Sequence, residues 1–592
     1  MTLPTNSLEY PSTSVAVERR ASTPGWRAYI MAKVRAWLAD TWLAATMLIA
    51  YIASLGSFWY FFQTHQIIIY GDAYAHMLIT RRLFDNATPG LAQLGGIWLP
   101  LPHLVMLPFI WNNYLWRTGL AGSIPSMICY LIATYYLFQA ARRLTRGNSR
   151  ASFLGTLLFI LNPNVLYLQT TAMSELVLIA TLTASSYYFL KWAQEDQLND
   201  LIKAAFATFL ATLARYDGWF LFVVFFILVL LIGLLKHQRR MQIEANLIVF
   251  GALGGLGIPL WLAWCDLIFG DPLYFQRSAF SSQSMQRALI NAHVLFTYHD
   301  LWQSIRYYSI DCIANVGLIL CMLTVIAVIV FMFKRRITVE TLASLAFLAP
   351  YAFYIISLYG GQAALYTPGA VPAQFDQQIY NARYGVEMVA PAALFIAALA
   401  SSLNRGHLYT LGHIALALII PLQSLMIVSN GIVSLEDGQF GVSCAHSHTI
   451  ILYLAQHYNG GRILEDLYDT KMDALNPEAS ISFKDMVYEG SGQFWKQALG
   501  NPASSVDWII VNQANPFDQV AQHLTVAFNT QYTRDIEEPD GLSLYHRNGL
   551  DLPNRPIPQY LLTEHFLCGA TGSTQTTSPP TWFGWLWQRG NP

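Results

Sequence analysis

The segment Gly71-Asp72-Ala73-Tyr74-Ala75-His76 sets a carboxylate and an imidazole four residues apart, with Thr80 four residues further on. On a helix the three share one face. A carboxylate and an imidazole so placed, with Arg81 and Arg82 just beyond, have the composition for general-base chemistry on a hydroxyl. The plainer use of the same residues is an interfacial helix begun by an Asp cap. After them comes a stretch from Pro89 to His103 that holds Gln93, Trp98, Pro100 and Pro102.

Four further polar groups stand out against apolar surroundings. Glu175 closes Gln169-Thr-Thr-Ala-Met-Ser-Glu175, and Arg215-Tyr216-Asp217-Gly218 sits between two apolar runs. Asp271-Pro272 follows another run, and Asn381-Ala382-Arg383-Tyr384-Gly385-Val386-Glu387 opens one. Ionisable groups in or beside membrane spans are costly and mark function, although each can instead be a structural ion pair; Arg215 with Asp217 is the nearest such case. Five clusters at one face of an otherwise apolar bundle favour a site.

The elements that must carry these residues are membrane helices. Apolar residues make up 54% of the 592-residue chain and charged residues 12%, about half of what a soluble protein carries. The net charge of -1 gives no footprint for nucleic acid. Runs near 40–62, 120–141, 151–168, 172–192, 200–214, 216–235, 246–269, 312–333, 340–358, 384–402 and 408–429 give about eleven spans, each close to the 20 or so residues a span needs. The apolar piece 97–111, interrupted by Pro100, Pro102 and Pro108, is expected to be re-entrant or interfacial. With the N-terminus inside, the inner segments hold 18 Lys and Arg and the outer loops 8, which fits the positive-inside rule. Loop 63–103, with Asp72, and the chain after residue 430 then lie outside.

The expected organisation is a cytoplasmic segment 1–38, a transmembrane domain 39–430, an external soluble α/β domain 431–568 and a flexible tail 569–592. In the soluble domain, 506–511 and 542–545 read as strands and 447–458 and 516–529 as helices. Six cysteines make no framework and no metal spacing. Cys444 and Cys568 are the two in the external part, where an oxidising compartment permits a pair.

A first span followed by a long outer loop that opens on Asp72, and Arg383-Tyr384 at a late outer span entry, resemble the GT-C superfamily of membrane glycosyltransferases. Protein O-mannosyltransferases and the lipid A aminoarabinose transferase are of this type. Many members carry two adjacent acidic residues in the first loop; here Asp72 is followed by Ala73. The resemblance implies a polytopic all-α bundle with a trailing external α/β domain. It implies transfer of a sugar from a polyprenyl-phosphate donor to an acceptor hydroxyl, with inversion. Asp72 is then the base, with His76 beside it. Arg383 is the first choice for the donor phosphate, with Arg215 and Arg82 behind it. Glu175, His103, Asp217 and Tyr384 are expected to contact substrate. No metal and no cofactor are implied. The acceptor is a lipid, a glycan or a protein, and the setting a bacterial or archaeal plasma membrane.

The rival class is a transporter or lipid flippase. Transporters place polar groups at the bilayer midplane on broken helices, often in inverted repeats. Here the charges gather at one interface, and the sequence shows no repeat.

Overall fold

A computed structural model describes residues 40–278, 281–367, 379–403, 406–441, 448–466, 481–516, 518–524, 528–539 and 541–557. The expected N-terminal segment 1–38, the tail 569–592 and both Cys444 and Cys568 lie outside these residues.

Among the described residues, nine helices are long and apolar enough to cross a membrane, and the chain is a multi-pass integral membrane protein. The remaining two expected spans are present as shorter helices, Ser149–Leu161 of 13 residues and Leu198–Ala214 of 17. Coverage by protein sorts the bundle into rim and centre. The most apolar stretch of Thr41–Gln63 is 22% buried and that of Leu318–Arg335 17%, so both present their sides to lipid. Glu175–Glu195 is 78% buried and Ala382–Ser402 83%, so these two form the middle. The central helix is lined with small residues, among them Ala390, Ala393, Ala397 and Ala400. A methyl group at Gly155 would collide with the Ala393 carbonyl and the Ala397 side chain. Small residues of this kind let helix backbones approach closely where lipid removes the hydrophobic drive.

Several runs that read as single spans are broken, each at an identifiable residue. The 151–168 run splits into Ser149–Leu161 and Pro163–Leu168. Pro163 has no N–H and forces Asn162 to an extended backbone, and the Asn162 side chain then caps Val165 N at 3.1 Å. The 312–333 run is divided by Gly317, at φ +95°, between Leu301–Val316 and Leu318–Arg335. A side chain there would press on Gln423 at 2.5 Å. Piece 97–111 is more regular than its prolines imply. Leu101–Ile110 is helical, because Pro100 and Pro102 stand at its start, where no helical donor is needed. At 10 residues it is too short to span.

The C-terminal part forms a five-stranded sheet in the order β2-β1-β3-β5-β4. The strands are β1 (Ile463–Leu464), β2 (Met486–Val487), β3 (Trp508–Asn512), β4 (Tyr532–Glu537) and β5 (Leu542–Arg547). β1 pairs in parallel with β2 and β3, whereas β5 runs antiparallel to β3 and β4. β3 is buried on both faces from Trp508 to Val511, as a continuous apolar run requires. Helix His448–His457 agrees with the expected 447–458, whereas the expected 516–529 contains Gln519–His523 and a separate Phe528–Gln531.

The sheet domain rests on the loop after the first span. Asp85 accepts from the Ser482 hydroxyl, Asn86 donates to Tyr488 Oη at 2.5 Å, and Gln93 donates to the Gly490 carbonyl at 3.1 Å. The ring of Phe483 lies 6.1 Å from Trp116.

Candidate active site

Asp72, Glu175, Arg215, Asp217 and Arg383 all stand where one helix ends or the next begins, and all at the same end of the bundle. Asp72 is in the first turn of Gly71–Arg81, where a helix favours negative charge. Glu175 starts Glu175–Glu195, Arg215 follows Leu198–Ala214, and Asp217 starts Asp217–Leu235. Arg383 lies in the 3-10 turn Ala382–Met388 that enters the central span.

Arg383 is the hub. Its Nη2 donates to Asp72 Oδ2 at 2.6 Å, its Nε to Glu175 Oε1 at 2.9 Å and its Nη1 to Asp437 Oδ2 at 3.4 Å. The guanidinium is 5% exposed, and Glu175 and Asp437 are buried. Asp72, at 36%, is the member open to an incoming molecule. Glu175 Oε1 also accepts from Arg215 Nη1 at 3.0 Å, so one carboxylate oxygen joins the two guanidiniums. Both cations lie over the Tyr384 ring, at 5.3 Å for Arg383 and 5.1 Å for Arg215. Tyr384 therefore attracts both side chains by cation–π contact.

Behind Arg215 lies a second acidic group. Arg215 Nε reaches Asp217 Oδ2 at 3.4 Å and Glu387 Oε1 at 3.7 Å. Tyr354 Oη is 3.0 Å from Asp217 Oδ2 and 2.8 Å from Glu387 Oε1, and it accepts from Arg215 Nη2 at 3.1 Å. One phenol has one proton and serves one of those carboxyls. Glu175 Oε2 and Glu387 Oε2 are buried and have no hydrogen-bond partner among the described residues.

The Arg383 turn is built to a narrow geometry. Asn381 adopts φ +56°, which non-glycine residues rarely do, and its side chain donates to the Ala364 carbonyl at 2.8 Å. Asn315 Nδ2 donates to the Ala382 carbonyl at 2.7 Å. Gly385 lets the turn lie against the Leu301–Val316 helix, since a side chain there would meet Asn315 Nδ2 at 2.5 Å and the Asp311 carbonyl at 2.6 Å. Backbone strain held by so many contacts is the mark of a position that must be fixed.

His76 does not sit beside Asp72. It pairs through Nδ1 with His103 Nε2 at 2.9 Å and packs on Trp98 with ring centroids 4.8 Å apart. Asp72 is drawn instead to Arg383, so the shared helix face does not become a contact. Burial lowers the His76 pKa to about 4, the nearby Asp72 and Glu175 opposing the fall. His103 is buried and lowered as well, by burial and then by His76. The histidines are a neutral packed pair that stiffens the loop. Arg82 donates from Nε to the Gln93 carbonyl at 2.9 Å, within the loop and apart from the Arg383 cluster.

Three participants were not singled out from sequence. Asp437 follows the last span in Glu436-Asp437, an acidic pair directly after an apolar run, which was the available signal. Tyr70 precedes the Asp72 helix and binds Asp437 Oδ2 at 3.0 Å and the Ser434 carbonyl. Its phenol is pushed well above its ordinary value by burial and by Asp437, and stays neutral. Tyr354 lies inside a span and carries no local signal.

Comparison with known proteins bears on the fold and on part of the sequence. Residues 116–264 match the family model described as dolichyl-phosphate-mannose-protein mannosyltransferase. That stretch contains Glu175, Arg215 and Asp217. The fold is similar to the crystal structure of ArnT from Cupriavidus metallidurans bound to undecaprenyl phosphate. The TM-score is 0.50 at 13% identity, over 86% of this chain and 98% of that one. No curated protein matches the chain. The resemblance to GT-C membrane glycosyltransferases is thereby upheld, and the architecture is of that type.

Proposed function

We propose that this protein is a membrane glycosyltransferase that moves a sugar from a polyprenyl-phosphate donor to an acceptor hydroxyl. Asp72 is the base, and the reaction takes place on the outer face. The observation that carries the reading is the convergence of Asp72, Glu175, Arg215 and Arg383, from four separate segments, at one end of the bundle with Asp72 its exposed member. The fold relative named above was crystallised with undecaprenyl phosphate, which supports a lipid phosphate as the donor's carrier.

The ion pairs give the chemistry an order. In the free protein Arg383 pairs with Asp72 and keeps the carboxylate engaged. A donor phosphate presents oxygens that fit a guanidinium fork better than one carboxylate oxygen does. When the phosphate takes Arg383, Asp72 is released toward the acceptor. Asp72 accepts the hydroxyl proton as the acceptor oxygen bonds to the anomeric carbon. The bond from that carbon to the phosphate oxygen breaks, and the polyprenyl phosphate leaves with its negative charge facing Arg383 and Arg215. A single displacement inverts the anomeric centre. Tyr384 offers a ring face to the sugar.

A transporter reading has less support, because the charged groups lie at helix ends on one side rather than at mid-span. The test is transfer of labelled sugar by the purified protein from a polyprenyl-phosphate sugar and, separately, from a nucleotide sugar. Transfer from the lipid-linked donor alone is expected; transfer from the nucleotide sugar alone overturns the proposal. Sidedness is tested, in a protein whose native cysteines are replaced, with Arg150→Cys and Gly460→Cys and an impermeant thiol reagent on intact cells, which is expected to label the second and not the first.

A further inference from the structure

At the end of the bundle opposite the site, a cavity of about 270 Å³ opens between the ends of Leu120–Leu144, Leu318–Arg335 and Ala382–Ser402. Its rim carries Arg146, Lys334 and Arg335, and its depth is apolar, with Ala327, Phe331 and Ala398. The rim cations are only partly used by the protein. Lys334 Nζ donates to the Ser402 carbonyl at 2.9 Å and Arg335 Nη2 to the Leu144 carbonyl at 3.3 Å. Both are helix-terminal carbonyls, where a cation is at home. The Arg146 side chain makes no ion pair or hydrogen bond among the described residues. It acts on Arg335 as a like charge, with Glu340 as the opposing acid. Three cations at one mouth are more than the helix ends require, and they are not balanced by an equal number of acids.

We propose that this cavity binds an anionic membrane lipid, its phosphate against Arg146, Lys334 and Arg335 and an acyl chain against Ala327, Phe331 and Ala398. Basic pockets between spans at a membrane surface recognise anionic headgroups in this way. The apolar depth selects a lipid over a free phosphate. Ala327 is eight residues from Arg335 on one helix, roughly 12 Å along its axis, which a hydrated ion has no reason to fill. The site is separate from the Arg383 cluster, so it does not depend on the proposed reaction.

The test is native mass spectrometry of the full-length protein with dioleoyl phosphatidylglycerol and, separately, dioleoyl phosphatidylcholine. Selective retention of phosphatidylglycerol is expected. Each rim charge is worth about fivefold in retention, so Arg146→Gln with Lys334→Gln lowers it about 25-fold. Ala398→Phe leaves every charge in place and narrows the cavity; it is expected to release the lipid as well. Arg240→Gln, at an exposed position of the same end, is expected to change nothing. Equal retention of the two lipids, insensitivity to the rim variants, or insensitivity to Ala398→Phe overturns the proposal. Displacement by millimolar inorganic phosphate also overturns it, because the site is then one for a free anion.

Discussion

Replacing Arg383 by Lys separates the charge at the hub from its geometry. The guanidinium meets three carboxylates from three directions, at 2.6, 2.9 and 3.4 Å. An ammonium keeps the positive charge but cannot span all three, and it presents no fork to a phosphate. Lys is long enough to stay with Glu175, the nearer of the two buried partners. The contacts to Asp72 and to the donor phosphate are those expected to go. A hydrogen bond to a charged group contributes about 1.5–3 kcal/mol. One such bond lost at the transition state lowers kcat/KM by roughly 10- to 150-fold. The fold should survive, since Glu175 and Asp437 retain a counter-charge nearby and the side chain volume is similar. The assay is transfer of labelled sugar from a polyprenyl-phosphate donor at several donor concentrations, with gel filtration of the detergent-solubilised variant as the fold control. Loss of activity is expected with a raised KM for the donor. A folded Lys variant with donor KM and kcat near those of the parent would refute the argument that Arg383 acts through its fork.

Three other outcomes follow from the same geometry. Gly385→Ala forces a methyl onto Asn315 and the Asp311 carbonyl, which overpacking places at about 1–3 kcal/mol; activity should fall while the sheet domain stays protected in hydrogen exchange. The His76–His103 pair is buried neutral, with His76 at about 4 against an ordinary 6.5. The unfolded loop therefore binds more protons between those values. Stability from His76 is complete above about pH 6.5 and declines toward pH 4, by on the order of 3 kcal/mol; protection factors in 71–111, with the intrinsic slowing of amide exchange at lower pH divided out, should fall from pH 7.5 to 5, and less so in His76→Gln. Asn86→Ala with Ser482→Ala removes two ties between the Asp72 loop and the sheet domain. Limited proteolysis should then cut the segment between the last span and the sheet sooner; unchanged digestion would show that the ties do not hold the domain.

The parts legible in the sequence were those set by composition and by local pattern. The apolar runs located the helices, because a span needs length and apolarity and little else. The run of Trp508 to Val511 announced a buried strand. Asp72, Glu175, Arg215, Asp217 and Arg383 were visible because charge beside an apolar run is rare. What was not visible depended on partners far away in the chain. His76 was assigned to Asp72 by its spacing, yet Asp72 is claimed by Arg383, 311 positions distant, and His76 by His103. Tyr354 is an ordinary aromatic of a span until Asp217 and Glu387 close on its hydroxyl. Asp437 fell on the far side of the drawn domain boundary at residue 430. The short helix Val433–Gly441 turns it back into the Arg383 cluster. The breaks at Pro163 and Gly317 were readable as residues, but apolarity on both sides concealed them.

The measurement closest to the central claim is transfer by Asp72→Asn. The substitution keeps the shape and one acceptor oxygen for Arg383 and removes the group proposed to take the acceptor's proton. The purified variant should remain folded and bind the polyprenyl-phosphate donor, with kcat reduced by about 10²- to 10⁴-fold, the contribution of a general base. A kcat within a fewfold of the parent, at equal donor affinity, contradicts the account, because the proton must then go to another residue.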